Sequence, residues 1–272
     1  QPGLAGNNLF GLPFTAEQSE LIVVPVPWEV TVSYGSGAAE GPEAILEASF
    51  QVDLHHQEFP DLWKLGIYLD LDGHAEKWLN RSDEYRKMAE PIIEALESGK
   101  DIASEKKLAA NLDKINVECR RLHDEVRERV DSWIKRGKLV ALLGGDHSTP
   151  LGYYEALAEN YGSFGMLHLD AHMDLRVAYE GFTYSHASIM YNALKIPQLT
   201  KLVQVGIRDF CKEEVEVATA AGDRVKIYTD NDLKKRAFSG TTWEQQCDEI
   251  ISQLPEHVAV SFDIDALYSW YC

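Results

Sequence analysis

Short apolar segments recur along this chain of 272 residues, and longer amphipathic segments separate them. Six apolar segments have the length and the Val, Leu and Ile content of β-strands: residues 21–26, 139–143, 164–169, 202–205, 225–228 and 258–262. They are nearly continuous and do not alternate with polar residues, which is typical of strands buried on both faces.

Helical patterns lie between these strands. Residues 151–161 follow Pro150 and end at Gly162, residues 188–194 form a second pattern, and residues 242–254 end at Pro255. Alternation of strands and helices predicts an α/β fold with a mostly parallel sheet that is covered on both sides.

Residues 81–137 interrupt this alternation, because they contain charged helical sequence and no strand pattern. Apolar residues spaced by three or four positions predict one apolar stripe on a long helix. The stripe consists of Leu112, Ile115, Cys119, Leu122, Val126, Val130 and Trp133. We interpret it as a helix packed on the sheet, with a subunit contact as the alternative. The expected organisation is a single domain over residues 1–272, with 81–137 as a helical segment within it.

Composition restricts the possible partners. The 26 basic and 44 acidic residues give a net charge of −18, which argues against nucleic acid and is compatible with a cationic substrate. The four cysteines have no CxxC spacing, which is typical of reduced cytosolic thiols. No apolar run approaches the ~20 residues of a membrane span. We therefore expect a cytoplasmic protein with no membrane partner.

Three predicted strands end in residues that bind metal ions in proteins. Gly144-Gly145-Asp146-His147-Ser148 follows one strand, Asp-Ala-His-Met-Asp at 170–174 follows the next, and Ser-Phe-Asp-Ile-Asp at 261–265 ends the last. Ligands bind at the carboxyl ends of the strands in an open parallel sheet. The three motifs are therefore expected to converge on one edge.

Convergence would place four carboxylates in one pocket, where like charges oppose each other. Two divalent cations would cancel these charges and leave two histidines as neutral donors. The spacing of two between Asp170, His172 and Asp174 directs their side chains to one side if this segment is extended. Carboxylate and imidazole ligands suit manganese, and also iron, cobalt or nickel. The predicted metal ligands are His147, Asp170, His172, Asp174, Asp263 and Asp265.

These three motifs resemble those of the ureohydrolase (arginase and agmatinase) family, and the likeness extends over most of the chain. Gly-Ile-Arg-Asp at 206–209 and Gly-Pro-Glu-Ala-Ile at 41–45 also resemble family segments. The resemblance implies a three-layer α/β/α, arginase-like fold that holds two Mn2+ ions, with Ni2+ as an alternative metal. By this resemblance one ion is bound by His147, Asp170, Asp174 and Asp263, and the other by Asp170, His172, Asp263 and Asp265. Asp170 and Asp263 would bridge the two ions.

The implied reaction is the hydrolysis of a guanidino C–N bond. Two metal ions that share one water lower the pKa of that water towards neutrality. The leaving nitrogen must then be protonated, and a histidine is the usual donor. His186 matches the proton-shuttling histidine of the family, although Ala187 follows it where relatives often have glycine. The alternative is a surface or capping histidine.

Asp146 is interpreted as a partner that orients a ligand histidine, since such imidazoles need their second N–H satisfied. The alternative is an ordinary loop carboxylate. Trp28, Thr31 and Tyr34 form either a wall for a cationic substrate or part of the packing. The tandem histidines His55 and His56 suggest a zinc deacetylase, but no other site features surround them, so we expect surface residues.

Relatives continue beyond the third motif, and their guanidinium-binding carboxylate lies in that continuation. No position after Asp265 matches it, so either the chain is truncated at its C-terminus or a substrate contact has been lost. We expect truncation, because helices would be needed to cover the sheet face after the last strand. The Pro-Val-Pro-Trp segment at 25–28 and the loop at 184–188 resemble agmatinase-type members more than true arginases. This favours agmatine as substrate, with putrescine and urea as products.

Other substrates remain open: free guanidine, possibly with nickel, guanidinobutyrate and arginine, and also formiminoglutamate, which carries an amidine in place of the guanidino group. Two other classes are a zinc-type deacetylase with one metal per chain and a non-catalytic relative. Assembly as a homo-oligomer, a trimer or hexamer, is implied by the resemblance.

Overall fold

The structure is a computed structural model that describes residues 8–33 and 35–267. Contacts between residues divide the chain into two compact units. The first unit comprises Gln1–Ala156 and Glu180–His186, and the second comprises Leu157–Tyr179 and Ala187–Cys272. The prediction of a single domain stays a prediction.

The first unit contains a three-stranded parallel sheet in the order β2-β1-β3. Its strands are β1 (Leu21–Val26), β2 (Ile67–Leu69) and β3 (Leu139–Gly144). Leu21 of β1 lies opposite Ile67 on one side and Leu139 on the other, so β1 is the central strand. The helices are α1 (Gly41–Ser49), α2 (His74–Glu97) and α3 (Lys106–Ile134), followed by α4 (Leu151–Tyr161), which ends in the second unit.

Helix α3 carries the predicted apolar stripe. Ile115, Leu122, Val126 and Val130 are completely buried, and Cys119 and Trp133 are nearly so. Full burial of one large aliphatic side chain contributes roughly 1.5–3 kcal/mol to folding. The interpretation of residues 112–133 as one buried helix face is therefore confirmed.

A buried ion pair connects α3 to the end of β2. The carboxylate of Asp70 accepts hydrogen bonds from Arg129 Nε at 2.6 Å and Trp133 Nε1 at 2.7 Å. Burial alone would raise the pKa of Asp70, but the bonds from Arg129 and Trp133 outweigh it and lower that pKa. The carboxylate therefore remains ionised in the folded protein.

The second unit contains a four-stranded parallel sheet in the order β6-β5-β4-β7. Its strands are β4 (Phe164–Leu169), β5 (Leu199–Ile207), β6 (Val225–Thr229) and β7 (Val258–Phe262). The helices are α5 (Ile189–Ala193), α6 (Lys212–Ala220), α7 (Asp230–Phe238) and α8 (Trp243–Ser252). The parallel α/β class is confirmed, although the described strands form two sheets.

Several elements differ from the predictions in ways that have a physical reason. Strand β2 has only three residues, too few to show a pattern in the sequence. Helices α6 and α7 have nine residues each and few apolar positions, so capping and local charge determine them. Strand β7 is not buried on both faces, because Val258, Val260 and Phe262 are exposed.

The structure also bears on the expected environment of the chain. Cys119, Cys211 and Cys247 are free thiols, whereas Cys272 lies outside the described residues. Among the helices in the described part of the chain, none is both long enough and apolar enough to cross a bilayer.

Candidate metal centre

Strands β4 and β7 are hydrogen-bonded neighbours, and the second and third motifs follow them directly. Leu169 pairs with Phe262 at the last position of both strands, and the amide of Asp263 donates to the carbonyl of Leu169 at 2.9 Å. Asp170 and Asp263 therefore leave the same edge of the sheet side by side. The predicted convergence is confirmed for these two motifs, both in the second unit.

Three residues of these motifs form a close group of potential ligands, the Asp170–His172–Asp265 group. One ligand atom from each lies within 4.8 Å of the others. His172 Nδ1 is 2.9 Å from Asp265 Oδ2 and 3.4 Å from Asp170 Oδ1. The amide of Ala171 donates to Asp265 Oδ1 at 3.1 Å, which ties the two motifs together through the backbone.

The electrostatics of this group are strongly negative. The hydrogen bond with Asp170, followed by that with Asp265, raises the pKa of His172 to about 11, although burial opposes the shift. In this arrangement the positive charge of a protonated His172 offsets one of the two negative charges. A divalent cation supplies more positive charge and binds the neutral imidazole, so the donor set fits a metal ion.

Asp170 also belongs to a second close group. His168, Asp170 and Asp174 each bring one potential ligand atom within 4.8 Å of the others. Asp170 is thus common to both groups, as expected of a bridging carboxylate. Its side chain is only 1% exposed, whereas those of His172 and Asp265 are 44% and 42% exposed.

The backbone at Asp174 differs from the extended conformation assumed in the spacing argument. Its φ of 54° is left-handed, which aspartate tolerates better than most residues. The carbonyl of Asp174 accepts hydrogen bonds from Met190 and Tyr191 at 3.0 and 3.1 Å, at the start of α5. The position of Asp174 is therefore determined by tertiary contacts and not by a spacing of two.

Asp263 shapes the turn that carries Asp265. Its Oδ1 accepts from the amide of Asp265 at 3.1 Å and begins a short 3-10 helix, Ile264–Ala266. Asp263 belongs to neither close group among residues 8–33 and 35–267. Its assignment as a second bridging ligand stays a prediction.

Arg208 was not predicted as a site residue, yet it stabilises the turn that carries Asp265. Its guanidinium donates to the carbonyls of Asp265, Ala266 and Leu267, the last at 3.1 Å. The amides of Arg208 and Asp209 both donate to the carbonyl of Ala171. The resemblance of residues 206–209 to a family segment could have identified Arg208 from the sequence.

The first motif lies in the first unit, on the loop after β3. A Cβ on Gly145 would be 2.3 Å from the carbonyl oxygen of Trp28, so this position requires glycine. The amide of Asp146 donates to the same carbonyl at 2.8 Å. This close packing places His147 on the turn that follows, in a half-buried position.

The carboxylate of Asp146 binds its own loop. Asp146 Oδ1 accepts hydrogen bonds from the amide and the hydroxyl of Ser148, the former at 2.8 Å. Burial raises the pKa of Asp146 to about 6, although the bonds from Ser148 oppose the shift. These contacts show a role in shaping the turn. The orienting role towards a ligand histidine stays a prediction.

His186 ends a segment of the first unit, 180–186, that we call the His186 segment. Ser185 Oγ lies 3.3 Å from His186 Nδ1, and Ser185 is completely buried. Ala187 has no positive φ, as the described non-glycine residues with that conformation are Phe10, Asp174 and Glu180. A glycine is therefore not required at 187.

Helix α3 holds the His186 segment. Asn116 Nδ2 donates to the carbonyl of Gly181 at 3.2 Å, and the amide of Thr183 donates to Asn116 Oδ1 at 2.8 Å. The His123 ring packs edge-on against Tyr184, with ring centroids 5.2 Å apart. Burial lowers the pKa of His123 to about 3, so this imidazole is neutral.

Other residues considered from the sequence have ordinary roles. His55 and His56 are exposed, as predicted, and His56 Nδ1 accepts from the amides of Glu58 and Phe59. Trp28 and Thr31 are completely buried in the first unit, which favours packing over a substrate wall. Tyr34 lies outside the described residues.

Comparison with known proteins identifies the family of this chain. The model of the Arginase family matches residues 19–271. The chain is 31% identical over 252 residues to the N(1)-aminopropylagmatine ureohydrolase of Thermus thermophilus, covering 92% of this chain and 69% of that protein. The chain therefore belongs to the arginase family.

Solved structures show the same fold. Agmatine ureohydrolase of Thermoplasma volcanium has a TM-score of 0.65 at 19% identity, covering 94% of this chain and 71% of that one. Trypanosoma cruzi formiminoglutamase with Mn2+ has a TM-score of 0.62 at 12% identity, covering 90% and 69%. As a member of the arginase family, the protein is a metal-dependent hydrolase that acts on C–N bonds.

Proposed function

We propose that the protein is a binuclear ureohydrolase of the agmatinase type, which releases urea from a linear guanidino substrate. The observation that carries this proposal is the position of Asp170. This buried carboxylate is shared by two close groups of potential ligands at the ends of β4 and β7.

In this proposal one metal ion would be held by Asp170, His172 and Asp265, whose donor atoms already lie together. Asp170 and Asp174 would help to hold the other. Asp263, and His147 of the first unit, complete the set by the sequence resemblance. A metal pair supplies activation of water at neutral pH when it is bound. Mn2+ is the proposed metal, supported by its presence in the formiminoglutamase structure.

His186 is the proposed proton donor to the leaving nitrogen. Cleavage of a guanidino C–N bond leaves an amine that must gain a proton, and an imidazole can deliver one near neutral pH. The neighbouring Ser185 hydroxyl lies 3.3 Å from His186 Nδ1 and restrains the imidazole through that atom.

Two substrates are favoured within this class, agmatine and its N1-aminopropyl derivative. Both are suggested by the names of similar proteins, the former from Thermoplasma volcanium and the latter from Thermus thermophilus. Both are cations, which suits a chain with a net charge of −18. Agmatine remains our first choice, as the loop at 184–188 resembles agmatinase-type members.

The direct test is a urea-release assay with Mn2+-loaded protein. Agmatine, N1-aminopropylagmatine, guanidine, guanidinobutyrate and arginine are compared side by side at equal concentration, with formiminoglutamate assayed by formamide release. We expect urea from agmatine or its aminopropyl derivative, and no turnover after chelation of the metal. Turnover that survives chelation, or a strong preference for arginine, would contradict the proposal.

A further inference from the structure

Two buried polar side chains form a hydrogen-bonded chain that ends at the carboxylate of Asp170. His168 on β4 and Gln204 on β5 are both completely buried, and they lie directly opposite each other in the sheet. His168 Nε2 is 2.7 Å from Asp170 Oδ2, and Gln204 Nε2 is 2.9 Å from His168 Nδ1. The same Gln204 nitrogen is 2.7 Å from the carbonyl oxygen of Met173.

The Met173 carbonyl determines which atoms donate and which accept in these hydrogen bonds. The Met173 carbonyl can only accept, so the Gln204 atom beside it must be the NH2 group and not the amide oxygen. That NH2 group has a second hydrogen, which it donates to His168 Nδ1. His168 Nδ1 is therefore the acceptor nitrogen of the ring.

A neutral imidazole carries one N–H, so a ring that accepts at Nδ1 carries its proton on Nε2. His168 Nε2–H then donates to Asp170 Oδ2. A nitrogen that carries a proton cannot bind a metal ion, which needs its lone pair. Although His168 lies within 4.8 Å of ligand atoms of Asp170 and Asp174, the geometry excludes it as a metal ligand.

We propose that His168 and Gln204 are positioning residues that fix the carboxylate of Asp170 for metal binding, an inference that rests on the proposed function. The bond from His168 occupies Asp170 Oδ2 and fixes the carboxylate plane. Asp170 Oδ1 then faces the Asp170–His172–Asp265 group, 3.4 Å from His172 Nδ1. Hydrogen bonds of this kind orient ligand side chains and raise metal affinity about 10- to 100-fold.

Binding of Mn2+ to the apoprotein tests this role without the reaction. Removing the donor to His168 in Gln204→Met, or the donor to Asp170 in His168→Phe, should weaken Mn2+ binding about 10- to 100-fold by calorimetry. His168→Gln keeps an N–H donor near the Nε2 position, so it should restore most of the affinity. Gln246→Met is the matched control, because Gln246 is also buried but lies on α8 and not on a strand or loop that carries a predicted ligand.

A second measurement uses the unmodified protein and does not depend on the variants folding. The 15N chemical shifts of the His168 ring distinguish a protonated Nε2 from a protonated Nδ1. We expect the proton on Nε2 in the apoprotein. A proton on Nδ1, or Mn2+ affinity in Gln204→Met equal to that of Gln246→Met, would overturn the inference.

The two proposals fail in different ways. If the unmodified protein takes up no Mn2+, the proposed function is wrong. The positioning role of His168 and Gln204 is then wrong as well. If it binds Mn2+ and releases urea, but Gln204→Met binds Mn2+ normally, only the present inference is wrong.

Discussion

The Asp170–His172–Asp265 group and the His186 segment are held in place by different kinds of contact. Asp170, His172 and Asp265 follow two neighbouring strands. The strand pairing and the hydrogen bond from the Ala171 amide to the Asp265 carboxylate place them together. The His186 segment is irregular and depends on side chains of a helix that lies more than 40 positions earlier in the chain. Rigid strands suit metal ligands, which need fixed distances, whereas a proton donor can lie on a more weakly held loop.

The largest effect is expected for Asp265→Ala, which removes a ligand from the Asp170–His172–Asp265 group. Loss of a residue that only orients a ligand costs about 10- to 100-fold in metal affinity or activity, so loss of a ligand should cost at least about 100-fold in both. Metal content by mass spectrometry and urea release measure it. Asp248→Ala, an exposed carboxylate on α8, is the control and should change neither. Normal metal content in Asp265→Ala would refute the ligand assignment.

His186→Ala should lower turnover without changing the metal content, which distinguishes the His186 segment from the Asp170–His172–Asp265 group. Loss of a general acid typically lowers turnover by about 10²- to 10⁴-fold, while the Asp170–His172–Asp265 group keeps its metal. The comparison requires turnover numbers and metal content from the same preparation. His56→Ala removes an exposed histidine and should leave both unchanged. Metal loss in His186→Ala would show that His186 belongs with the ligands.

The packing of His123 against the His186 segment should weaken at acidic pH. Burial lowers the pKa of His123 to about 3, against about 6.5 for an unfolded histidine. Stability from the neutral imidazole is therefore complete above about pH 6.5 and declines as pH falls towards 3. Between pH 7.5 and pH 5 this one group should cost about 2 kcal/mol of unfolding free energy.

His123→Phe keeps an aromatic ring against Tyr184 but cannot be protonated. The loss of unfolding free energy between pH 7.5 and pH 5, measured by urea denaturation of the apoprotein, should be smaller in this variant by about 2 kcal/mol. An identical pH dependence in both proteins would mean that His123 is not buried in its neutral form.

The smallest effect is expected for Asn116→Ala. Two neutral hydrogen bonds to the His186 segment are lost, each worth about 1 kcal/mol. Because the segment is held locally, amide hydrogen exchange at residues 181–185 should accelerate more than exchange in the β-strands. Asn80→Ala on α2, an exposed position, is the control. Equal exchange in both variants would show that other contacts hold the segment.

The amino-acid sequence by itself determined the strands and the chemistry at their ends. Strands β1, β4 and β7 have the predicted bounds, because short runs rich in Val, Leu and Ile favour strands whichever strand they pair with. The convergence of Asp170 and Asp265 followed from the rule that parallel strands end at one edge. The apolar stripe of α3 was equally visible, because its period is a property of the helix alone.

Tertiary structure alone decided the features that depend on contacts between distant residues. The left-handed backbone of Asp174 is held by the amides of Met190 and Tyr191, and no local pattern records that contact. His168 and Gln204 meet only because β4 and β5 pair in one particular register. Asn116 binds Gly181 across 65 positions of sequence. Local periodicity arises from the backbone of one element, whereas such pairings arise from the packing of several, and a single sequence shows only the former.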